Sequence, residues 1–390
     1  MERGLADRIA LLSGEGAFEV LARARALERQ GKHIIHLEIG QPDFPTPAHV
    51  QEAAVKAMAD GFTGYTPSNG LLECREALAE DASLARGVEV DPDCIVVTPG
   101  AKPIIFFGLL ALANPGDEVI YPDPGFPIYA SCIRFAGAKP VPAPLREERE
   151  FRLDPEEVAS LVTPRTRAIL INSPHNPTGS ALSKQDIERL CEVCQQHDLF
   201  MITDEPYRRI IYGTEFHSPL SVPDMAERTL VIDGLSKTYA MTGWRMGFGI
   251  GPKWLIDALT LLEVNCNSCT TAFVQLAAIA AVRGPQDDAE RMVAEFRRRR
   301  DIIVGGLNEI PGISCVTPSG AFYAWPNVSE RCGEAVGEFA DALLNEAGVA
   351  CLPGTSFGAE GKRYLRFSYA NSAENLQEAL GRIGAYVAGR

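Results

Sequence analysis

Apolar residues along this chain recur with two alternating periods. Short runs rich in apolar and β-branched residues lie at 94–98, 118–121, 139–142, 168–172, 200–203, 230–232 and 248–250, and they predict strands buried on both faces. Segments of helical period fall between most of them, for example 103–113, 155–161 and 184–197. Strands joined by helical crossovers form a mostly parallel sheet with helices on both faces. The expectation is therefore an α/β unit on a seven-stranded sheet, with any ligand bound beyond the carboxyl ends of the strands.

The flanks read differently. Residues 1–45 predict an N-terminal arm: an amphipathic segment at 17–30, a strand at 34–39, and an extended piece from Gly40 that Pro42, Pro45 and Pro47 keep open. Helices at 47–59 and 71–86 bracket a loop that presents Tyr65. After Gly284-Pro285 a long charged helix (287–307), strands at 313–316, 321–325, 349–352 and 364–369, and a helix at 333–347 predict a smaller α+β unit. The expected division is an arm at 1–45 that returns to the small unit, a large unit at 46–285 and a small unit at 286–390. Arg297 to Arg300 are expected on a solvated helix face.

Charge narrows the partners. A formal net charge of −14 over 390 residues disfavours nucleic acid and anionic membranes, although a small anionic substrate could still meet a local basic pocket. The apolar stretches at 104–113 and 272–282 are short of a membrane span and are broken by Gly108 and Gln275. With no basic-then-apolar leader, a cytoplasmic protein is expected, and its ten cysteines are expected as free thiols. The pairs Cys191/Cys194 and Cys266/Cys269 are too far apart for a zinc ribbon, and the first pair falls in a helical pattern.

Candidate chemistry gathers at strand ends. The stretch 229–251 breaks at Asp233-Gly234 and then offers Ser236 and Lys237, with Arg245 eight residues further on. A lysine partly desolvated at a sheet edge has a lowered pKa, and its amine becomes a nucleophile towards carbonyls. Arg245 brings a guanidinium suited to bidentate phosphate contact. Asn176 follows another strand, held by Pro174, Pro177 and Gly179, and Asp204-Glu-Pro-Tyr207 follows the next. Gly100-Ala101-Lys102-Pro103 joins a strand to a helix, where backbone N–H groups can receive an anion. Each piece alone reads equally well as a turn or a cap. Spread over one sheet edge, the set matches the needs of pyridoxal 5′-phosphate: a lysine for the aldehyde, N–H groups and an arginine for the phosphate, a carboxylate for the ring nitrogen and donors for the 3-oxygen.

At this point the sequence resembles a class I aminotransferase of pyridoxal phosphate fold type I, similar to the bacterial aspartate aminotransferase subgroup, over nearly its whole length. The likeness is carried by Gly-Gln-Pro-Asp-Phe (40–44), Tyr65-Thr-Pro, Asn-Pro-Thr-Gly (176–179), Asp-Glu-Pro-Tyr (204–207), Ser-Lys-Thr-Tyr-Ala-Met-Thr-Gly-Trp-Arg (236–245), Pro-Ser-Gly-Ala-Phe-Tyr (318–323) and Leu-Arg-Phe-Ser-Tyr-Ala (365–370). It implies a transaminase moving an amino group from an L-amino acid, with aspartate a candidate, to a 2-oxo acid such as 2-oxoglutarate. By the same resemblance Lys237 would bind the cofactor as a Schiff base and shuttle a proton between the substrate Cα and the cofactor C4′. Asp204 would pair with the ring nitrogen, and Tyr207 and Asn176 would bond the 3-oxygen. Arg245, Ser236 and the Gly100-Ala101-Lys102 turn would hold the phosphate. Arg366 would take the substrate α-carboxylate beside Gly40 and Asn176. Tyr65 would reach in from a second subunit, which implies a homodimer with shared sites.

Departures from the family pattern bear on the substrate. Many relatives place a tryptophan over the cofactor ring; Phe126 here keeps the stacking but lacks the indole N–H. Gly234 stands where some relatives have a phosphate-binding serine, which puts more weight on Ser236. Lys102 matches a lysine that some bacterial relatives use for the distal carboxylate of an acidic substrate, and it reads equally as a solvent-facing lysine at a helix start. Glu19, in the arm that usually covers the site, would repel an acidic side chain if it pointed inward. The rival readings are another fold type I enzyme such as a C–S β-lyase, and an aminotransferase for alanine or aromatic amino acids. A regulator fused to a DNA-binding module is disfavoured, because the stretch before the first motif has no basic helix-turn-helix pattern. Gly247-Phe-Gly-Ile-Gly251 lacks the dinucleotide spacing.

Overall fold

The computed structural model describes residues 4–389. Apart from the short β1 (Ile35–His36), the first strands build one seven-stranded sheet: β2 (Ile95–Pro99), β3 (Glu118–Asp123), β4 (Lys139–Pro144), β5 (Thr166–Asn172), β6 (Phe200–Asp204), β7 (Thr229–Gly234) and β8 (Met246–Ile250), in the spatial order β2-β8-β7-β6-β5-β3-β4. Neighbours are parallel except around β8, which runs antiparallel to both β2 and β7.

Alternate strand residues feed opposite faces. Val96, Leu170, Ile202, Leu230 and Ile232 pack with the helices Lys102–Leu112, Ile128–Phe135 and Lys253–Cys266. On the other side Val97 and Val231 meet the helices Ala48–Ala59, Leu72–Arg86 and Ala272–Arg283, while Ile169, Ile171 and Met201 meet Pro155–Leu161 and Lys184–His197. Both faces are covered, so the strands read as near-continuous apolar runs. Cys191 and Cys194 are buried in that last layer as small apolar groups.

A second sheet is antiparallel, with β9 (Tyr323–Ala324), β11 (Leu352–Pro353) and β12 (Leu365–Ser368) in the order β11-β12-β9. Leu365 and Phe367 share a core with Phe296 and Leu307 of the helix Asp287–Glu309 and with Leu376 and Ile383 of the helix Ala373–Ala388. β1 pairs in parallel with β10 (Val349–Ala350), which ties the N-terminal stretch to these late elements. No helix among the described residues is long and apolar enough to cross a membrane.

Three local expectations need correction. The strand expected at 313–316 is a single bridge, Ser314 to Asn327, because the Asn308 side chain satisfies both the N–H and the carbonyl of Cys315 in place of a ladder. The strand expected at 34–39 ends at His36, and the Glu38 carbonyl accepts a hydrogen bond from Arg366. The four arginines do not share a solvated face. Arg299 is only 6% exposed, bonded to Asp43 at 2.7 Å and Glu295 at 2.9 Å, and Arg300 lies 4.9 Å from the Tyr212 ring centre.

Candidate active site

Sheet topology assembles the site. β2, β5, β6 and β7 point the same way, so the Gly100-Ala101 turn, Asn172, Asp204 and the loop carrying Lys237 all lie at their carboxyl ends. β8 runs back from that same edge, with Gly234 opposite Gly247 and Pro99 opposite Met246. Arg245, immediately before β8, therefore returns to the edge that the chain left at Lys237. Its φ of 57° lies in the left-handed region, and its guanidinium is folded over Gly100. Gly100 has a φ of 88°, in the left-handed region that favours glycine, and a Cβ there would stand 2.1 Å from Arg245 Nη2 and push the guanidinium away. The helix Lys102–Leu112 starts at this point with no side-chain cap, leaving first-turn N–H groups for an anion.

Lys237 is partly buried and donates to the Gly40 carbonyl at 2.5 Å. Tyr207 and Phe322 present their rings 5.9 and 5.8 Å from its amine. Its pKa is lowered to about 7, first by desolvation and then by the charges of Arg366, Lys102 and Arg245. Asp204 is buried, and its pKa is pushed up to about 7 by desolvation, against the hydrogen bond that Tyr129 donates to its Oδ2 at 2.5 Å. The other oxygen, Asp204 Oδ1, has no protein partner. The acids beside it are neutralised from behind: Arg86 holds Glu205 at 2.6 Å and Asp233 at 3.0 Å, and Arg208 holds Asp233 at 2.7 Å.

Arg366 lies in an aromatic slot, 4.5 Å from the Tyr323 ring centre and 4.9 Å from that of Phe357. It donates to Asn176 Oδ1 at 3.1 Å and to the Glu38 carbonyl at 2.5 Å, and its Nε has no protein partner. Asn176 is fixed through Asn172, whose Oδ1 accepts from the Asn176 N–H at 2.8 Å and whose Nδ2 donates to the Asp204 carbonyl at 2.7 Å. Tyr207 and Tyr323 share a hydrogen bond at 2.8 Å. A Cβ on Gly40 would meet Tyr323 Oη at 2.1 Å, so this position also excludes a side chain. Ser236 is half-buried beside Lys237, and Phe126 lies against Tyr129 with ring centres 5.6 Å apart.

Of the residues picked from sequence, the fold thus brings Gly40, Gly100, Ala101, Lys102, Phe126, Asn176, Asp204, Tyr207, Ser236, Lys237, Arg245 and Arg366 to one place. Tyr65 is the exception: it is 93% exposed on the loop after the helix Ala48–Ala59. Sequence reading missed Tyr129, Asn172, Glu38, Tyr323 and the buried pair Arg86 and Arg208. Only two carried a signal: Tyr323 sits inside a motif quoted above, and Asn172 is the polar residue that ends the strand expected at 168–172.

These residues fit pyridoxal phosphate. An enclosed carboxylate oxygen lacks a donor, an amine titrates near neutrality, and an arginine and an uncapped helix start frame a turn whose glycine lies in the left-handed region. Comparison with known proteins agrees. Residues 32–383 match the family described as aminotransferase class I and II. The chain is 39% identical to an aspartate aminotransferase of Geobacillus stearothermophilus over 99% of each sequence, and 39% identical to aromatic-amino-acid aminotransferase 2 of Thermococcus litoralis over 97% of each. Among solved structures, the aspartate aminotransferase from Thermus thermophilus with maleate superposes with a TM-score of 0.93 at 40% identity, covering 98% of this chain and 99% of that one. This chain belongs to the class I and II aminotransferases: it is a pyridoxal phosphate-dependent transaminase of fold type I.

Proposed function

We propose that the enzyme transfers the amino group of an L-amino acid, with aspartate as a donor, to a 2-oxo acid such as 2-oxoglutarate, in a cytoplasmic homodimer with shared sites. The observation that carries this is the pairing, in one site, of a lysine titrating near neutrality with a buried arginine that keeps one N–H unmatched. Pyridoxal phosphate supplies, when bound, an aldehyde that condenses with amines and a cationic ring that takes up electron density from the substrate Cα. The unit at 46–285 would carry it, with the arm at 1–45 and the unit at 286–390 closing the substrate side.

Each side chain then has a task. The Lys237 amine, uncharged near neutral pH, would hold the cofactor through its aldehyde and would be the base that moves a proton at the substrate Cα. Asp204 Oδ1, which lacks a protein donor, would hold the ring nitrogen and its proton. Asn176 Oδ1 is engaged by Arg366, so Asn176 Nδ2 is the group left for the 3-oxygen, beside the Tyr207 hydroxyl. Phe126 would supply an apolar face for the ring. Arg245, Ser236 and the N–H groups of Ala101 and Lys102 hold the phosphate. Arg366 binds the α-carboxylate, and Lys102 faces the distal carboxylate of an acidic substrate. The dimer is supported by Tyr65 and by apolar side chains left open to solvent, Leu5 at 82% and Leu261 at 64% exposure.

The lowered pKa of Lys237 sets a pH dependence. Only the uncharged amine adds to an aldehyde, so the apoenzyme should capture pyridoxal phosphate at a rate that rises with pH to about 7 and then levels. An ordinary lysine would continue to rise towards about 10.4. Stopped-flow absorbance across neutral and mildly alkaline pH checks this. Substrate choice is tested by kcat/KM for aspartate, alanine and phenylalanine with 2-oxoglutarate. Aspartate should rank first, and undetectable aspartate turnover would remove it as donor.

A further inference from the structure

The arm contributes an acid to the site, but not the one its sequence suggests. Glu19 is exposed on the helix Gly16–Glu28, whereas Glu15, just before that helix, forms an ion pair with Lys102. The Glu15 side chain is 21% exposed, and Lys102 Nζ also lies 5.4 Å from the Phe126 ring centre. The next residue seats the arm on the opposite wall: a Cβ on Gly16 would stand 3.0 Å from the Oγ of Ser356, the neighbour of the Phe357 that lines the Arg366 slot. Glu15 therefore lies where the arm passes from the Lys102 side of the site to the side of Ser356 and Phe357. Its charge is felt at Lys237, Arg366 and Tyr323 alike.

Lys102 is the group assigned above to a distal carboxylate, and in this chain it already has one. We propose that Glu15 is a specificity-determining residue: its carboxylate occupies Lys102 as an internal stand-in for the side-chain carboxylate of an acidic substrate. This rests on the aminotransferase reading and on Lys102 facing the substrate side chain. A tethered carboxylate is present at millimolar or higher effective concentration, so aspartate must displace it before Lys102 is available. A substrate with a neutral side chain meets a neutral pair and displaces nothing. Glu15 thus narrows the preference for aspartate over alanine below what a free Lys102 would give.

Glu15→Gln keeps the size and the hydrogen-bonding capacity of the side chain and removes its charge. Half-reactions of the holoenzyme with aspartate alone and with alanine alone, followed by absorbance, avoid a dicarboxylic acceptor that would compete for the same lysine. The aspartate-to-alanine ratio of rate over dissociation constant should rise about fivefold in Glu15→Gln, the scale of a partly exposed ion pair. Calorimetry with succinate and butyrate needs no turnover and should show succinate tightened by the same factor relative to butyrate. In a Lys102→Gln background the second substitution should leave the succinate-to-butyrate ratio unmoved. An unchanged ratio in the single variant, or equal weakening of all four compounds because Glu15 only pins the arm, would overturn the inference. If the parent enzyme ignores aspartate while succinate binding still tightens in Glu15→Gln, aspartate fails as donor and the role of Glu15 stands.

Discussion

Replacing Lys237 by alanine should lower kcat by roughly four orders of magnitude, at the upper end of what a positioned proton-transfer group contributes. The loss has two sources. The variant has no amine to hold and release the aldehyde carbon, and none near the substrate Cα to move its proton. Desolvation, which lowers the pKa of this amine to about 7, makes it fit for both tasks near neutral pH. The substitution removes a long side chain from a partly open site and leaves the core intact, so the variant should fold and still bind pyridoxal phosphate through Arg245 and the Gly100-Ala101 turn. A small added amine should restore part of the activity, which a structural role for Lys237 would not allow.

The second large effect is expected at Asp204. Asp204→Asn keeps the shape but removes the charge that stabilises a protonated ring nitrogen, and kcat should fall by about two to three orders of magnitude. Pyridoxal phosphate should also dissociate faster, because an amide at this position gains nothing from the cationic ring. Burial makes ionisation of Asp204 costly unless a cation faces it, with its pKa raised to about 7. A cation at Oδ1 offsets that cost, so charge at position 204 and cofactor binding reinforce each other. Steady-state kinetics together with equilibrium dialysis of the cofactor check both parts. An unchanged kcat in Asp204→Asn would detach this residue from the ring.

Much of this site could be read from the sequence because its chemistry sits where apolar strands stop. Each of β2, β5, β6 and β7 ends in a polar, Gly- or Pro-containing segment, and strand direction alone sends those segments to one edge. Arg245 was legible for the same reason, once β8 turned the chain back. The misses are contacts between distant elements. Tyr129 lies on the helix Ile128–Phe135, where period says which face is buried but not that the hydroxyl will meet Asp204 from the next layer. Arg86 and Arg208 belong to different segments and meet Glu205 and Asp233 only through tertiary packing. The arm shows the same limit: its sequence offers two glutamates four residues apart, and only docking near Ser356 selects Glu15 over Glu19. Arg299 read as solvated by composition, yet Asp43 and Phe44 from the arm fold over it.

The assignment of Lys237 as the covalent cofactor site meets its most direct test in borohydride reduction of the purified holoenzyme, followed by digestion and mass spectrometry. The protein should be yellow before reduction, and reduction should fix one pyridoxyl group per chain on the peptide that contains Lys237, with none retained by Lys237→Ala. A colourless protein that binds no pyridoxal phosphate, or a label fixed on any other lysine, would contradict it.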